Sequence, residues 1–388
     1  MDNNTNIIAD SNRLIVFYWE QVLTSTFIFL IALMGVIGNS MIIIAVSFSC
    51  KLQTSTNAFV TSLAIADLIT SIFLFFYAIA GLGRNGWPIP QAEWLCAFTA
   101  FVIYTCRGTS LYTSAAIGVN RLILITRPSL YRKIFVSWKL AVCLTIPWVV
   151  LSGSIIILLL TGFSAFGYDY ADLACAIDDS NKNAEVVSLV ATLIAFPIPL
   201  IVTTVSYSWI YVFLKKHFRA KKRSLCPPTS DGSNMTSVTS DTPSSSAPTG
   251  VTLISYTPSN AVLPVITTQE YAPSKSPSVV KSDSEITSLT RREQISQKQI
   301  EITKNLFVVV CSLYLCYLPY FILIFVPDSN HILFYARIIT LANSTINFAI
   351  YAGKHPDFKF VFGHMMRRSY RDIPQPSRFL KFFLSQNK

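Results

Sequence analysis

The sequence predicts an all-α membrane protein: a bundle of seven transmembrane helices followed by a short amphipathic eighth helix. Composition is the first observation behind this. The 388 residues are 52% hydrophobic and only 13% charged, with a mean hydropathy of +0.48, where a soluble globular chain carries about 25% charged residues. The second is the count of long apolar stretches. Seven of them, at 23–48, 58–82, 97–123, 138–162, 186–213, 303–327 and 332–352, are long enough to cross a hydrocarbon layer of ~30 Å, which takes about 20 residues. The third is the one-sided placement of Lys and Arg between these stretches. A soluble enzyme is excluded by the hydropathy. So is a nucleic-acid partner, although the formal charge is +11.

Residues 1–22 are mostly polar and show no apolar stretch followed by a small-residue cleavage site, so the first span is expected to act as its own insertion signal. Arg13, Arg84 and Lys182 lie on the side of the amino terminus, Arg107 and Arg337 lie within spans, and the other 26 of the 31 basic residues lie on or beside the opposite face. This asymmetry predicts an amino terminus outside the plasma membrane and a carboxyl tail in the cytoplasm. The positive charge then reports topology and attraction to anionic lipid. Asn3, in Asn3-Asn4-Thr5, is a glycosylation acceptor on the outer side. Asn234-Met235-Thr236 and Asn343-Ser344-Thr345 match the same pattern on the wrong side and inside a span.

The eight cysteines fall at 50, 96, 106, 143, 175, 226, 311 and 316. Only Cys96, at the mouth of the third span, and Cys175, in the loop after the fourth, lie in outer segments. Disulfides persist on the oxidising face, so these two are expected to pair. The same loop carries Asp169, Asp172, Asp178 and Asp179, which read as a solvated face or as an attraction for a basic peptide.

Between the fifth and sixth spans, a basic collar (Lys215, Lys216, Arg219, Lys221, Lys222, Arg223) opens a long third cytoplasmic loop, 215–301. Its 224–290 tract holds 27 Ser or Thr and 8 Pro among 67 positions. Such a tract cannot bury enough apolar surface to offset its ordering entropy, and it is expected to be a disordered phosphorylation substrate or a plain spacer. After the seventh span, 353–388 form an eighth helix and a tail. Lys359–Arg368 alternates apolar and basic residues at helical spacing, which suits the inner leaflet. The absence of Cys after Cys316 excludes palmitoyl anchoring there.

Polar residues inside the spans are costly and therefore informative. Span one carries Gly38-Asn39, and span two carries Leu63-Ala64-Ile65-Ala66-Asp67. Span three carries Arg107, Ser110 and Asn120-Arg121, and span seven carries Asn343, Ser344, Asn347 and Tyr351. Pro197, Pro199 and Pro319 are helix breakers within the fifth and sixth spans, and the last makes the sixth a hinge.

This ordered series resembles the rhodopsin-like (class A) G protein-coupled receptors over all seven spans. Arg121 follows Cys96 by the family's spacing of 25 residues, and the fourth span has Trp148. Phe196, Pro199 and Tyr207 match in the fifth, Cys316-Tyr317-Leu318-Pro319 in the sixth, and Asn347-Phe348-Ala349-Ile350-Tyr351 in the seventh, with Phe358 seven residues on. Asn120-Arg121 in place of Asp-Arg is similar to the melatonin receptor, Moody and Trapped-in-endoderm group. Leu341, at the position of a retinal-binding Lys, excludes an opsin.

The resemblance implies a receptor that transmits the binding of an outer ligand to a heterotrimeric G protein. Arrestin and receptor kinases would engage the Ser/Thr-rich third loop. It implies coupling and activation through Asn120, Arg121, Pro199, Tyr207, Pro319 and Tyr351, and an outer ligand pocket at Ile103, Arg107, Phe196, Tyr317 and Arg337. It places Asn39, Asp67, Ser110, Asn343, Ser344 and Asn347 around an allosteric sodium ion, and no other cofactor is expected. Alternatively, Arg107 reaches down and neutralises Asp67. An arginine suits bidentate anion recognition, so the ligand is expected to have an anionic group and an apolar body, unless both arginines are paired internally. Ile103 stands where amine receptors carry Asp. A peptide or melatonin-like ligand is the alternative; a transporter or channel would need repeat symmetry or broken helices in matched halves, and neither is evident. No nucleophile–base set suggests an enzyme. With Asn120 beside Arg121 and Gln299 at the usual acidic position, the resting lock on the arginine is expected to be weak. Phe348 in place of Pro is expected to remove a kink from the seventh span.

Overall fold

The computed structural model describes residues 18–83, 86–170, 173–178, 181–225, 308, 310–326 and 329–386. The expectations for Asn3, for tract 226–290 and for Gln299 lie outside these residues. The chain divides into a helical bundle, Met1–Phe218 with Gln294–Lys388, and a second unit, Arg219–Glu293. Of the second unit, the described part continues the fifth helix to Leu225.

Span one is Tyr18–Phe48, and its buried stripe, including Ile28, Ala32, Gly35, Asn39, Ile42 and Ala45, recurs every three or four residues. Small residues in that stripe bring its backbone close to its neighbours. Span two, Ser55–Ala80, starts at Thr54, whose hydroxyl accepts from the Asn57 backbone N–H, a cap for one of the orphan donors of the first turn. Span three, Glu93–Thr126, runs for 34 residues, and it buries side chains from Cys96 to Arg121. A short helix, Pro128–Ile134, leads into span four, Ser137–Leu160, none of whose residues is buried. The Trp148 indole N–H of that span donates to Ser62 Oγ at 3.1 Å.

Span five runs as Ala184–Ala195 and Pro197–Leu225, joined at Phe196. The described helix of span six is Val310–Leu323. The spans turn large apolar side chains outward, among them Phe27, Met34, Trp138, Ile157, Leu160 and Leu315. Such a belt on a soluble protein would drive association; hydrocarbon is its natural solvent.

Span seven corrects one expectation. It is bent by 40° between His331–Leu341 and Asn343–Lys354, although Phe348 replaces the usual Pro. The bend lies at Ala342, where the helix tightens: the Ala342 N–H bonds the Ile339 carbonyl and the Thr345 N–H bonds the Ala342 carbonyl. Side chains inserted beside the helical ladder account for it. The Thr340 hydroxyl donates to the Arg337 carbonyl at 2.6 Å, and Asn39 Nδ2 of span one donates to the Ser344 carbonyl at 2.8 Å.

A β-hairpin is added to the helices between spans four and five. Its strands, β1 (Phe166–Asp169) and β2 (Ala174–Ile177), pair antiparallel with Tyr168 opposite Cys175. Tyr168 reaches the Gly83 carbonyl at 3.1 Å, and burial pushes its hydroxyl up to about 12. At the other end of the bundle the eighth helix, Pro356–Met366, buries Phe358, Val361 and Phe362 and exposes Lys359. A tail helix, Arg378–Gln386, follows it.

Candidate functional site: a polar bundle interior with a basic layer towards the disulfide

Three polar layers lie along the bundle axis. The central one forms around Asp67, which is completely buried. Its Oδ1 accepts from the Ser110 hydroxyl and its Oδ2 from Asn347 Nδ2, each at 2.8 Å. Asn39 Nδ2 bonds the carbonyls of Gly35 (2.9 Å) and Ser344, and the Thr345 hydroxyl bonds the Ile31 carbonyl at 3.0 Å. Spans one, two, three and seven are thereby held to one another. Asn343 and Ser344 are buried in the same layer. Three amide oxygens there, on Asn39, Asn343 and Asn347, are buried without a hydrogen-bond partner. Oxygen donors beside a carboxylate are the ligands a hard cation takes, so this residue set fits sodium.

One turn towards the disulfide end, Arg107 does not turn to Asp67. Its Nη2 donates to the Thr340 hydroxyl, and its guanidinium carbon lies 5.8 Å from the centre of the Tyr317 ring. Arg337 stands similarly at 5.8 Å from the Tyr320 ring. Phe196 closes the set, with its ring centre 5.0 Å from Tyr317 and 6.0 Å from Tyr320. Two guanidinium groups therefore share one aromatic wall. Ile103 faces elsewhere and packs with Leu74, Ala78 and Leu341. Cys96 and Cys175 form a disulfide with a Cα–Cα distance of 5.1 Å, tying β2 to the mouth of span three.

At the tail end, the Thr56 hydroxyl donates to Asn120 Oδ1 at 2.7 Å, so this asparagine is bonded to span two. Arg121 is buried, as are Tyr207 and Tyr351, and its charge acts on the hydroxyls of Tyr207, Tyr351 and Tyr131. Pro199 lies in the first turn of the second segment of the fifth span, and the Thr203 hydroxyl donates to its carbonyl at 2.6 Å. Pro319 lies in the sixth span, two residues beyond buried Tyr317. Sequence reasoning overlooked Thr56, Tyr320 and Thr340. Tyr320 had a legible signal, one helical turn from Tyr317; the two threonines had none, since their partners are remote in sequence.

The model of the 7 transmembrane receptor (rhodopsin family) matches residues 38–351. The chain belongs to this family. Curated relatives include the G-protein coupled receptor moody of Drosophila melanogaster, 28% identical over 92% of this chain and 52% of that protein. The melatonin receptor type 1B of Mus musculus is 24% identical over 53% of this chain and 54% of that protein. The chain thus spans about half the length of the curated relatives it matches. Squid rhodopsin shares the fold, with a TM-score of 0.64 at 15% identity, over 91% of this chain and 87% of that one.

Proposed function

We propose that this chain is a plasma-membrane receptor, amino terminus outside, that passes the binding of an outer ligand to a heterotrimeric G protein. The ligand carries an anionic group and an apolar body. One observation carries the ligand reading: Asp67 is already occupied by Ser110 and Asn347, while Arg107 bonds Thr340 and faces Tyr317. Among the described residues, no carboxylate is a hydrogen-bond or ion-pair partner of Arg107. A guanidinium held by a neutral hydroxyl and a ring keeps donors for a carboxylate or phosphate. Arg337, over Tyr320, supplies a second cation, and Phe196 supports the apolar part of the ligand. The names of the relatives favour a second reading, a melatonin-like ligand.

Orientation rests on the Lys and Arg asymmetry. Signal transfer rests on Arg121 beside Tyr207 and Tyr351, with arrestin and receptor kinases acting on the third loop. Sodium would be held by Asp67 with Asn39, Ser110, Asn343, Ser344 and Asn347, and would supply the positive charge that a buried carboxylate lacks.

The test is a G protein activation panel of carboxylate, lipid, peptide and indole libraries, run on the parent and on the Arg107→Ala and Arg337→Ala variants. A lost hydrogen bond to a charged group costs about 1.5–3 kcal/mol, so an anionic agonist should lose roughly 10- to 100-fold in potency on Arg107→Ala. An anionic agonist to which both variants respond normally refutes the anion pocket. An indole agonist with parent-like potency on both supports the second reading.

A further inference from the structure

The carboxyl tail returns to the end of the first span. The Ser377 N–H donates to the Phe48 carbonyl (2.9 Å), the Cys50 N–H to the Gln375 carbonyl (2.9 Å) and the Ser49 hydroxyl to the Pro374 carbonyl (2.9 Å). The Ser377 hydroxyl donates to the Ser47 carbonyl at 2.5 Å and accepts from the Leu380 N–H at 3.1 Å, so it also caps the tail helix. Ile373 and Leu380 are buried in the cluster that holds Phe48 and Leu52. Arg368 and Gln375 adopt φ values of 56° and 49°. Non-glycine residues take up this left-handed conformation at a cost, which the contacts of the clip offset.

This clip fixes which way the tail helix faces. At 100° per residue, Leu380 and Leu384 occupy the flank against the bundle. Phe383, Phe379 and Phe382 occupy the adjoining flank, and Lys381, Ser385 and Arg378 the remaining side. Phe379 and Phe382 are 57% and 61% exposed, at the foot of a helix whose own outer surface is apolar. Residues 367–386 carry five basic side chains and a single acidic one, Asp372. An amphipathic helix binds a membrane through the apolar area it buries and the attraction of its basic residues to anionic lipid, and this segment offers both.

We propose that the tail helix is a membrane anchor: Phe383 stays seated on Phe48 and Tyr370, Phe382 and the exposed edge of Phe379, whose other side stacks on Phe48, insert into the leaflet on the tail side, and Arg378 and Lys381 meet anionic phospholipid headgroups. The clip at Gln375–Ser377 sets its depth. Lys51, next to the clip, pairs with Asp357 of the eighth helix at 2.9 Å, so the anchor, the first loop and the eighth helix form one platform. Only the identity of the leaflet as cytoplasmic rests on the receptor reading.

The test uses the full chain with Cys50, Cys226 and Cys311 replaced by Ser, in nanodiscs of phosphatidylcholine with or without phosphatidylserine. A nitroxide is placed at Phe382→Cys or at Lys381→Cys, and its collisions with oxygen and with a water-soluble nickel chelate are compared. With phosphatidylserine present, the label at 382 should meet oxygen more than chelate and the label at 381 the reverse. Omitting phosphatidylserine should reduce the contrast severalfold. Adding Leu380→Asp, which opens the clip but keeps the phenyl groups, should abolish it. Equal chelate access at both positions overturns the proposal, as does shielding of 382 from both reagents, which would mean a protein partner or a second copy. Persistence of the contrast in Leu380→Asp overturns the role of the clip. An amino-terminal epitope on intact cells tests the orientation separately, so the two readings can fail independently.

Discussion

Gly38→Ala probes the contact between spans one and seven. A Cβ on Gly38 would lie 2.5 Å from Cγ and Cδ1 of Phe348 and 2.8 Å from its Cβ. Carbon atoms in contact prefer about 3.5–4.0 Å, so the added methyl needs roughly 1 Å more room. The ring has little space to retreat, because the Phe362 ring centre is 5.6 Å away. The spans are also held together by the Asn39 and Thr345 bonds to the opposite backbone. Overpacking of this kind costs about 1–3 kcal/mol. The assay is a double-mutant cycle: parent, Gly38→Ala, Phe348→Ala and the double variant, each unfolded thermally in nanodiscs. Gly38→Ala should lower the midpoint by several degrees, and Phe348→Ala should relieve most of that loss. A coupling of at least about 1 kcal/mol is expected, within the range found for residues in contact. Strictly additive effects would refute the reasoning, because the methyl would then be accommodated without the ring.

Two further predictions concern the polar layers. Asn120→Asp places a carboxylate beside Arg121, and a charge-assisted hydrogen bond of about 1.5 kcal/mol should lower ligand-independent G protein signalling about tenfold; parent signalling indistinguishable from that of empty cells sinks the idea of a weak lock. Replacing choline chloride by sodium chloride at equal ionic strength should raise the unfolding midpoint of the parent and leave Asp67→Asn unmoved. At ten times the dissociation constant the stabilisation is about 1.4 kcal/mol, and a parent midpoint indifferent to sodium counts against the ion.

Hydropathy made spans one, two, four and five most legible, since among the described residues these helices are long and apolar enough to cross a membrane unaided; the third carries Arg107 and Arg121 inside it, and the seventh is bent. Asn39, Asp67, Ser110 and Asn347 were legible as a group, since each is costly alone and the resemblance gathers them. What escaped the sequence was set by distant partners. Phe348 in place of Pro suggested a straight seventh span, yet an asparagine from span one answers the carbonyl at its bend. Asn120 is held by Thr56 rather than by a neighbour in sequence. The hairpin strands of four residues each are too short to show a period. The tail helix did carry a readable pattern in Phe379, Leu380, Phe382, Phe383 and Leu384, but its seat on Phe48 could not be read from that pattern.

The clip between the tail and the first span also orders events during synthesis. The Ser49–Pro374 and Ser47–Ser377 bonds join residues 325 and 330 apart in the chain. At about 5–20 residues per second, the end of the first helix, emerging early, waits roughly 16–66 s for its partner to be made. Throughout that interval the carbonyls of Ser47 and Phe48 are open to water, lipid or a chaperone. The platform therefore closes only once Ser377 has been made. A chain ending before Ile373 would insert its spans and still present an unfinished first loop to cellular quality control.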